Sequence, residues 1–236
     1  MSKNTSLVRK RKTLYNTQTM LEIIQHLDDK AAENRAIELI DAAYTEVRGL
    51  IPELPEDLKI YFDNWYAIKE TGEGGFAYAP DILTMAFISD FANTALQAAH
   101  MRSTVFHESF HMAHGHTYEQ STLPYRHALD SAVYEGCASV FERDRTQPAI
   151  LPGNYSACSE SQLQQWADAL AEISNEDYRN GDTGLWVKWA LYDKDTGERW
   201  KVYKVGTWIV DRVVQKSGKD VLELRKLTAE EILNLL

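Results

Sequence analysis

One run, Ser89 to His116, constrains the rest of the chain. Its apolar residues Phe91, Ala95, Ala98 or Ala99, Val105, Phe106, Phe110 and Ala113 recur at helical spacing. Gly115 stands where a helix C-terminus favours glycine. Within the run lies His107-Glu108-Ser109-Phe110-His111. Residues four apart on a helix share a face, about 6 Å apart along the axis. His107 and His111 therefore present two imidazoles at a spacing that one tetrahedral Zn²⁺ accepts. Glu108 projects from an adjoining sector, where its carboxylate reaches a water beside the metal rather than the metal itself. A chain using this pair must bring a third ligand to the helix from elsewhere, so the motif dictates topology as well as chemistry.

Composition narrows the setting. With 236 residues, 44% of them hydrophobic, the chain is long enough for a sizeable core in one domain. The net charge is −10 although Lys3, Arg9, Lys10, Arg11 and Lys12 crowd the first twelve residues. The body is thus acidic, which argues against nucleic acid as a partner. The basic start is followed by polar residues and reads as a flexible arm over residues 1–15, not as a secretory signal. No apolar run reaches the length of a membrane span, so no membrane partner is expected. Two cysteines, Cys137 and Cys158, do not make a disulfide framework. Together these features predict a cytoplasmic protein.

Residues 16–236 read as a single domain in three parts. The first, 16–50, is predicted helical: Leu21, Ile24, Leu27, Ala31, Ile37, Ile40, Ala43 and Val47 fit amphipathic helices, with Thr17 or Thr19 as a cap. The second, 56–116, holds short strands at Leu58–Phe62, Phe76–Tyr78 and Ile82–Ile88, then the His-Glu-x-x-His helix. An edge strand just before that helix suits strand addition by an extended peptide. The third, 117–236, is helical. Pro124 suits a first turn, and Tyr125–Arg143 follows as a helix. Ser159 or Ser161 starts another, Leu185–Tyr192 leans helical, and Tyr203–Lys216 ends at Gly218. Asp220 and Thr228 cap two last helices, the second with a capping box through Glu231. The tryptophans of the C-terminal third, Trp166, Trp186, Trp189, Trp200 and Trp208, suit either an apolar cleft or the core, and the core is the expectation. The expected fold class is α+β, mostly helical and zincin-like, with a small mixed sheet beside an antiparallel active-site helix pair.

The best third ligand is Glu135, in Ser131-Ala132-Val133-Tyr134-Glu135-Gly136-Cys137-Ala138. It lies on the next helix, after a connection that lets the chain reverse. Small residues follow it and permit close helix approach. A Glu in so weakly charged a stretch needs a partner once buried. His114 and His116 remain alternatives, more naturally read as solvated or supporting histidines. One known pattern adds a Gly and a third His after the motif; here those positions hold His114 and Thr117.

His107-Glu108-Ser109-Phe110-His111 followed by Glu135-Gly136-Cys137-Ala138 resembles the gluzincin clan of zinc metallopeptidases. More closely, the chain is similar to a family of predicted zinc-dependent proteases. Gly74-Gly75-Phe76-Ala77-Tyr78, Tyr203-Lys204-Val205-Gly206 and the ending from Gly218-Lys219-Asp220-Val221 to Ile232-Leu233 carry that similarity. It covers roughly residues 56–236, and Cys137 departs from the hydrophobic residue often found after Glu-Gly. The resemblance implies Zn²⁺ held by His107, His111 and Glu135, with Glu108 as general base and a peptide or protein as substrate. Tyr203 is the first choice for the donor to the developing oxyanion, with Tyr134, His127 and Arg126 as alternatives. His127 or Asp130 is expected to orient a ligand imidazole. Hydrolysis of another amide or ester, or metal binding without catalysis, are the competing classes.

Overall fold

The computed structural model describes residues 20–236; the basic arm over 1–15 and the candidate caps Thr17 and Thr19 lie outside them. Four strands form one mixed sheet: β1 (Met20–Gln25), β2 (Asp57–Phe62), β3 (Glu73–Ala79) and β4 (Ile82–Phe87), in the order β1-β2-β4-β3. The pairs β1–β2 and β2–β4 are parallel, while β3 and β4 form an antiparallel hairpin around Pro80 and Asp81. The fold is α+β, as expected, with the small mixed sheet on one side of a helical body.

The first prediction to fail is the helix from residue 20. Met20–Gln25 is a strand, in register with β2 from Met20↔Asp57 to Ile23↔Ile60. Leu21, Ile24 and Leu27 match a helical period, but Leu21 and Ile23 match the strand period equally well. Within the strand Leu21 and Ile23 pack against the core, while Ile24 is exposed. Six residues ahead of a break are too few for a stable helix and enough for an edge strand. The break is Asp29, whose carboxylate accepts from the Ala31 and Ala32 N–H groups and caps α1 (Lys30–Leu50).

Four helices stack in sequence on this sheet: α1, then α2 (Thr94–His114), then α3 (Ala128–Thr146), then α6 (Lys201–Ser217). Between the last two in the chain come α4 (Glu160–Glu172) and the short α5 (Asn175–Arg179); α7 (Val221–Leu224) and α8 (Ala229–Leu233) follow α6. The helix after Pro124 starts three residues later than Tyr125. His127 takes the N-cap position, and Asp130 Oδ2 accepts from the Arg126 and His127 N–H groups. The short α5 was not foreseen; five residues carry too little periodicity to reveal it. Leu185–Tyr192 contains a π-helical turn at Val187–Leu191.

The closest packing is at α3 and α6, where Gly136 meets Gly206. A Cβ on Gly206 would overlap the Ala132 carbonyl oxygen and lie 2.7 Å from its carbon and 2.9 Å from Gly136 N. One on Gly136 would strike the Gly206 carbonyl in turn. Two stretches of sequence thus owe their glycines to a single backbone-to-backbone crossing, which sets the depth at which Glu135 projects.

Candidate metal centre

α2 is buried on nearly all sides from Gln97 to His114, because the sheet, α1 and α3 surround it. It ends at Gly115, whose φ of +85° only glycine adopts cheaply and whose N–H returns to His111 O. The chain then turns back into α3. Contacts between the two helices run in opposite order along them: Ser103 with Thr146, His107 with Glu142, His111 with Glu135, His114 with Tyr134. The pair is antiparallel, as the sequence suggested.

Three donor atoms converge between these helices. His107 Nε2 and His111 Nε2 are 3.0 Å apart, and Glu135 Oε2 lies 3.2 Å and 3.1 Å from them. Zinc with ligands at about 2.0–2.1 Å in a tetrahedron spaces them about 3.3 Å apart, so these separations fit the ion closely. The donor types, two imidazoles and a carboxylate, also suit it. Burial and the Glu135 and Glu142 carboxylates compete at His107, and the carboxylates win, raising its pKa well above 6.5. Burial dominates at His111 and lowers its pKa to about 3. Glu135 resists its own burial through His111, His107 and His116 and stays well below the usual carboxylate range. The Glu135 carboxylate thus favours positive charge at the imidazoles it touches.

Two contacts support these ligands, and the first was not predicted. Glu142 Oε2 is 3.0 Å from His107 Nδ1. In the neutral imidazole that a metal requires, the carboxylate accepts from Nδ1–H and the Nε2 lone pair faces the centre. Glu142 stands seven residues after Glu135, two helical turns along the same face, and that spacing was the available signal. His116 Nε2 lies 3.3 Å from Glu135 Oε1, while its Nδ1 is hydrogen-bonded to the Tyr125 hydroxyl. His116 therefore orients Glu135, in keeping with the supporting role considered for it. His114 is not solvated: it is buried, with Nε2 donating to Leu227 O at 3.0 Å. His127 and Asp130 sit at the N-terminus of α3, and the imidazole contact expected of them belongs to Glu142. His111 Nδ1 is buried with no partner among the described residues.

Glu108 faces the same space from the β3 side. Ala77 N–H donates to its Oε2 at 2.8 Å, and burial raises its pKa to about 8. Of the four candidate oxyanion donors only Tyr203 lines the cleft. Its ring centroid is 6.2 Å from that of His107. Its pKa rises well above 10 through burial and the Glu135 and Glu108 charges, so the hydroxyl keeps its proton. Tyr134 is committed elsewhere, donating to Pro124 O and accepting from Ala229 N, and Arg126 pairs with Glu230.

The cleft above these groups measures about 640 Å³, the size of a pocket for a small ligand or a few peptide residues. One lip carries Trp65, Phe76 and Tyr118, the other Trp186, Leu191 and Trp200. The expectation of a tryptophan core thus holds for Trp189 and Trp208, whereas Trp186 and Trp200 line the cleft. Trp200 is held at φ +57°, a conformation L side chains rarely adopt, ahead of the buried Lys201–Asp193 ion pair. Such strain is common where a residue is aimed at a ligand.

Fold and site together define a chain with two helical imidazoles, a carboxylate from the neighbouring helix and a second carboxylate beside them. A sequence comparison gives the family. The chain belongs to the predicted Zn-dependent protease family DUF2268, whose model matches residues 36–234. No curated protein and no solved structure matches the chain. No helix among the described residues is long and apolar enough to cross a membrane.

Proposed function

We propose that the protein is a zinc-dependent peptidase in which His107, His111 and Glu135 hold the metal. The observation that carries this reading is the approach of His107 Nε2, His111 Nε2 and Glu135 Oε2 to within 3.0–3.2 Å of one another, with Glu108 beside them. When bound, zinc supplies Lewis acidity, polarising the scissile carbonyl and acidifying the attacking water. Glu108 moves the proton. Ala77 N–H fixes Oε2, so Oε1 is the oxygen that takes the proton from the water and returns it to the leaving amine. Burial lifts this carboxyl to about 8, and a divalent cation beside it would favour the ionised form that a base needs. Tyr203 keeps its proton and donates a hydrogen bond from its hydroxyl to the carbonyl oxygen as negative charge grows there.

The sheet supports a peptide rather than a small amide. β3 is an edge strand, and its cleft side carries the backbone groups of Glu73, Gly75 and Ala77 in alternation. Glu73 O and Ala77 O are taken by Ile68 N and Tyr118 N, and Ala77 N by Glu108. Gly75 lies between them, presenting N–H and C=O to an extended chain without a side chain in the way. The test is cleavage of a mixed peptide library by zinc-loaded protein. Glu108→Gln should retain zinc and lose at least about a hundredfold in rate. Cleavage by Glu108→Gln at the wild-type rate would contradict the reading.

A further inference from the structure

The cleft holds one carboxylate that this chemistry does not use. Glu73, at the start of β3, lines the cleft yet is 1% exposed. Its Oε1 accepts from Thr71 Oγ1 at 3.0 Å and its Oε2 from Thr104 Oγ1 at 2.7 Å. A carboxylate offers about four acceptor positions, so half of them remain open. No cation among the described residues compensates it: burial and the Glu142 charge both disfavour its ionised form, and only the two hydroxyls favour it. A carboxyl in such a place is costly unless something with complementary charge joins it.

Its position is informative. Thr104 precedes Glu108 by one turn on the same face of α2, which puts Glu73 about 6 Å along the cleft floor from the proton carrier. Gly74 and Gly75 follow it and let neighbours close in: Tyr66 packs against the first, and Thr104 and Met85 against the second. Tyr66 lines the same part of the cleft, packed edge-on against Phe76, and its hydroxyl is buried with no partner among the described residues. Among those residues the cleft's one lysine or arginine is Arg179, which is occupied elsewhere: it donates to Tyr118 O and lies over the Tyr125 ring. Carboxylate, orphan hydroxyl and aromatic wall are the parts needed to hold an ammonium or guanidinium on an aliphatic stem.

We propose that Glu73 and Tyr66 form a subsite for a cationic side chain, and that the peptides processed here carry lysine or arginine at the residue filling it. The proposal deepens the peptidase reading and rests on it for the word substrate. The ammonium or guanidinium fills the open acceptor positions of Glu73 and reaches the Tyr66 oxygen, while its stem lies along the Tyr66 ring. Glu73 also ties β3 to α2 through Thr104, a purely structural role that any test must separate. Gln at this position keeps an acceptor for Thr104 and removes only the charge.

Binding decides the matter without cleavage. Zinc-loaded Glu108→Gln is titrated with Ala/Gly octapeptides in which one lysine is walked through the sequence, and with the matched norleucine set. Quenching of the cleft tryptophans reports binding. At one register lysine should bind at least about tenfold more tightly than norleucine. Adding Glu73→Gln should bring that ratio to within about threefold of one. No register favouring lysine, or a ratio unmoved by Glu73→Gln, overturns the proposal. The peptidase reading fails separately, if wild type cleaves no peptide of either set.

Discussion

Gly206→Ala tests whether the glycine crossing of α3 and α6 holds the site in shape. The added Cβ would overlap Ala132 O and sit 2.7 Å from its carbon. Carbon atoms rest comfortably about 3.5–4.0 Å apart, so the helices must separate by about 1 Å. The atoms in the way are backbone and cannot rotate aside. Overpacking costs about 1–3 kcal/mol, and this case belongs at the top of that range. For a domain of this size that lowers Tm by about 6–12 °C. The shift also reaches the centre. Glu135 is the residue before Gly136, and a metal site tolerates only about 0.2 Å in ligand distance, so zinc affinity should fall at least about tenfold. Thermal melts with chelator and with saturating zinc, together with a competition titration for zinc, measure both effects. Gly49→Ala is the control: that glycine is exposed near the end of α1, and an added methyl would meet nothing within 4 Å. It should gain about 0.5–1 kcal/mol. A Gly206→Ala protein melting within about 2 °C of wild type (a margin of about 1 kcal/mol), with unchanged zinc affinity, would refute the reasoning.

Other expectations concern single groups. Glu142→Ala leaves His107 Nδ1 without its acceptor and should weaken zinc binding about 10–100-fold, with cleavage recovering at higher zinc. Tyr203→Phe should keep zinc and lower kcat about 10²–10³-fold with a smaller effect on KM; an unchanged kcat would remove Tyr203 from the mechanism. Burial raises the Glu73 carboxyl from 4.5 to about 7. Between those values the folded state binds more protons than the unfolded one, so this group's contribution to stability falls as pH rises through the window and levels off above it. Glu73→Gln should therefore stabilise the protein at pH 8 by up to about 3 kcal/mol and much less at pH 5, measured by urea unfolding. An equal effect at both values would mean that Glu73 is not a strained carboxylate.

The residues of the proposed metal site were readable because their spacing is imposed by the helix itself. His107, Glu108 and His111 lie in one short motif, and Glu135 betrayed itself as a charge in an apolar stretch. Strands β2 to β4, the Gly115 and Gly218 termini and the capping box at Thr228 were also local signals. What escaped reading depended on tertiary partners. Met20–Gln25 has a pattern compatible with both helix and strand, and only the neighbouring β2 decides between them. Glu142 looks like any polar residue near the end of a helix until α2 is laid against it. The pairing of Gly136 with Gly206 joins residues far apart in sequence, and neither glycine alone shows why a side chain is forbidden there. Trp186 and Trp200 were indistinguishable from core aromatics by composition.

The central claim is that His107, His111 and Glu135 form one zinc site, and its most direct test is metal stoichiometry. Purified protein, dialysed against zinc and then against buffer, should hold one zinc per chain by elemental analysis. His107→Ala, His111→Ala and Glu135→Ala should each lose it while Glu108→Gln keeps it. If Glu135→Ala binds zinc as tightly as wild type, the third ligand assigned here is wrong and the account of the site fails with it.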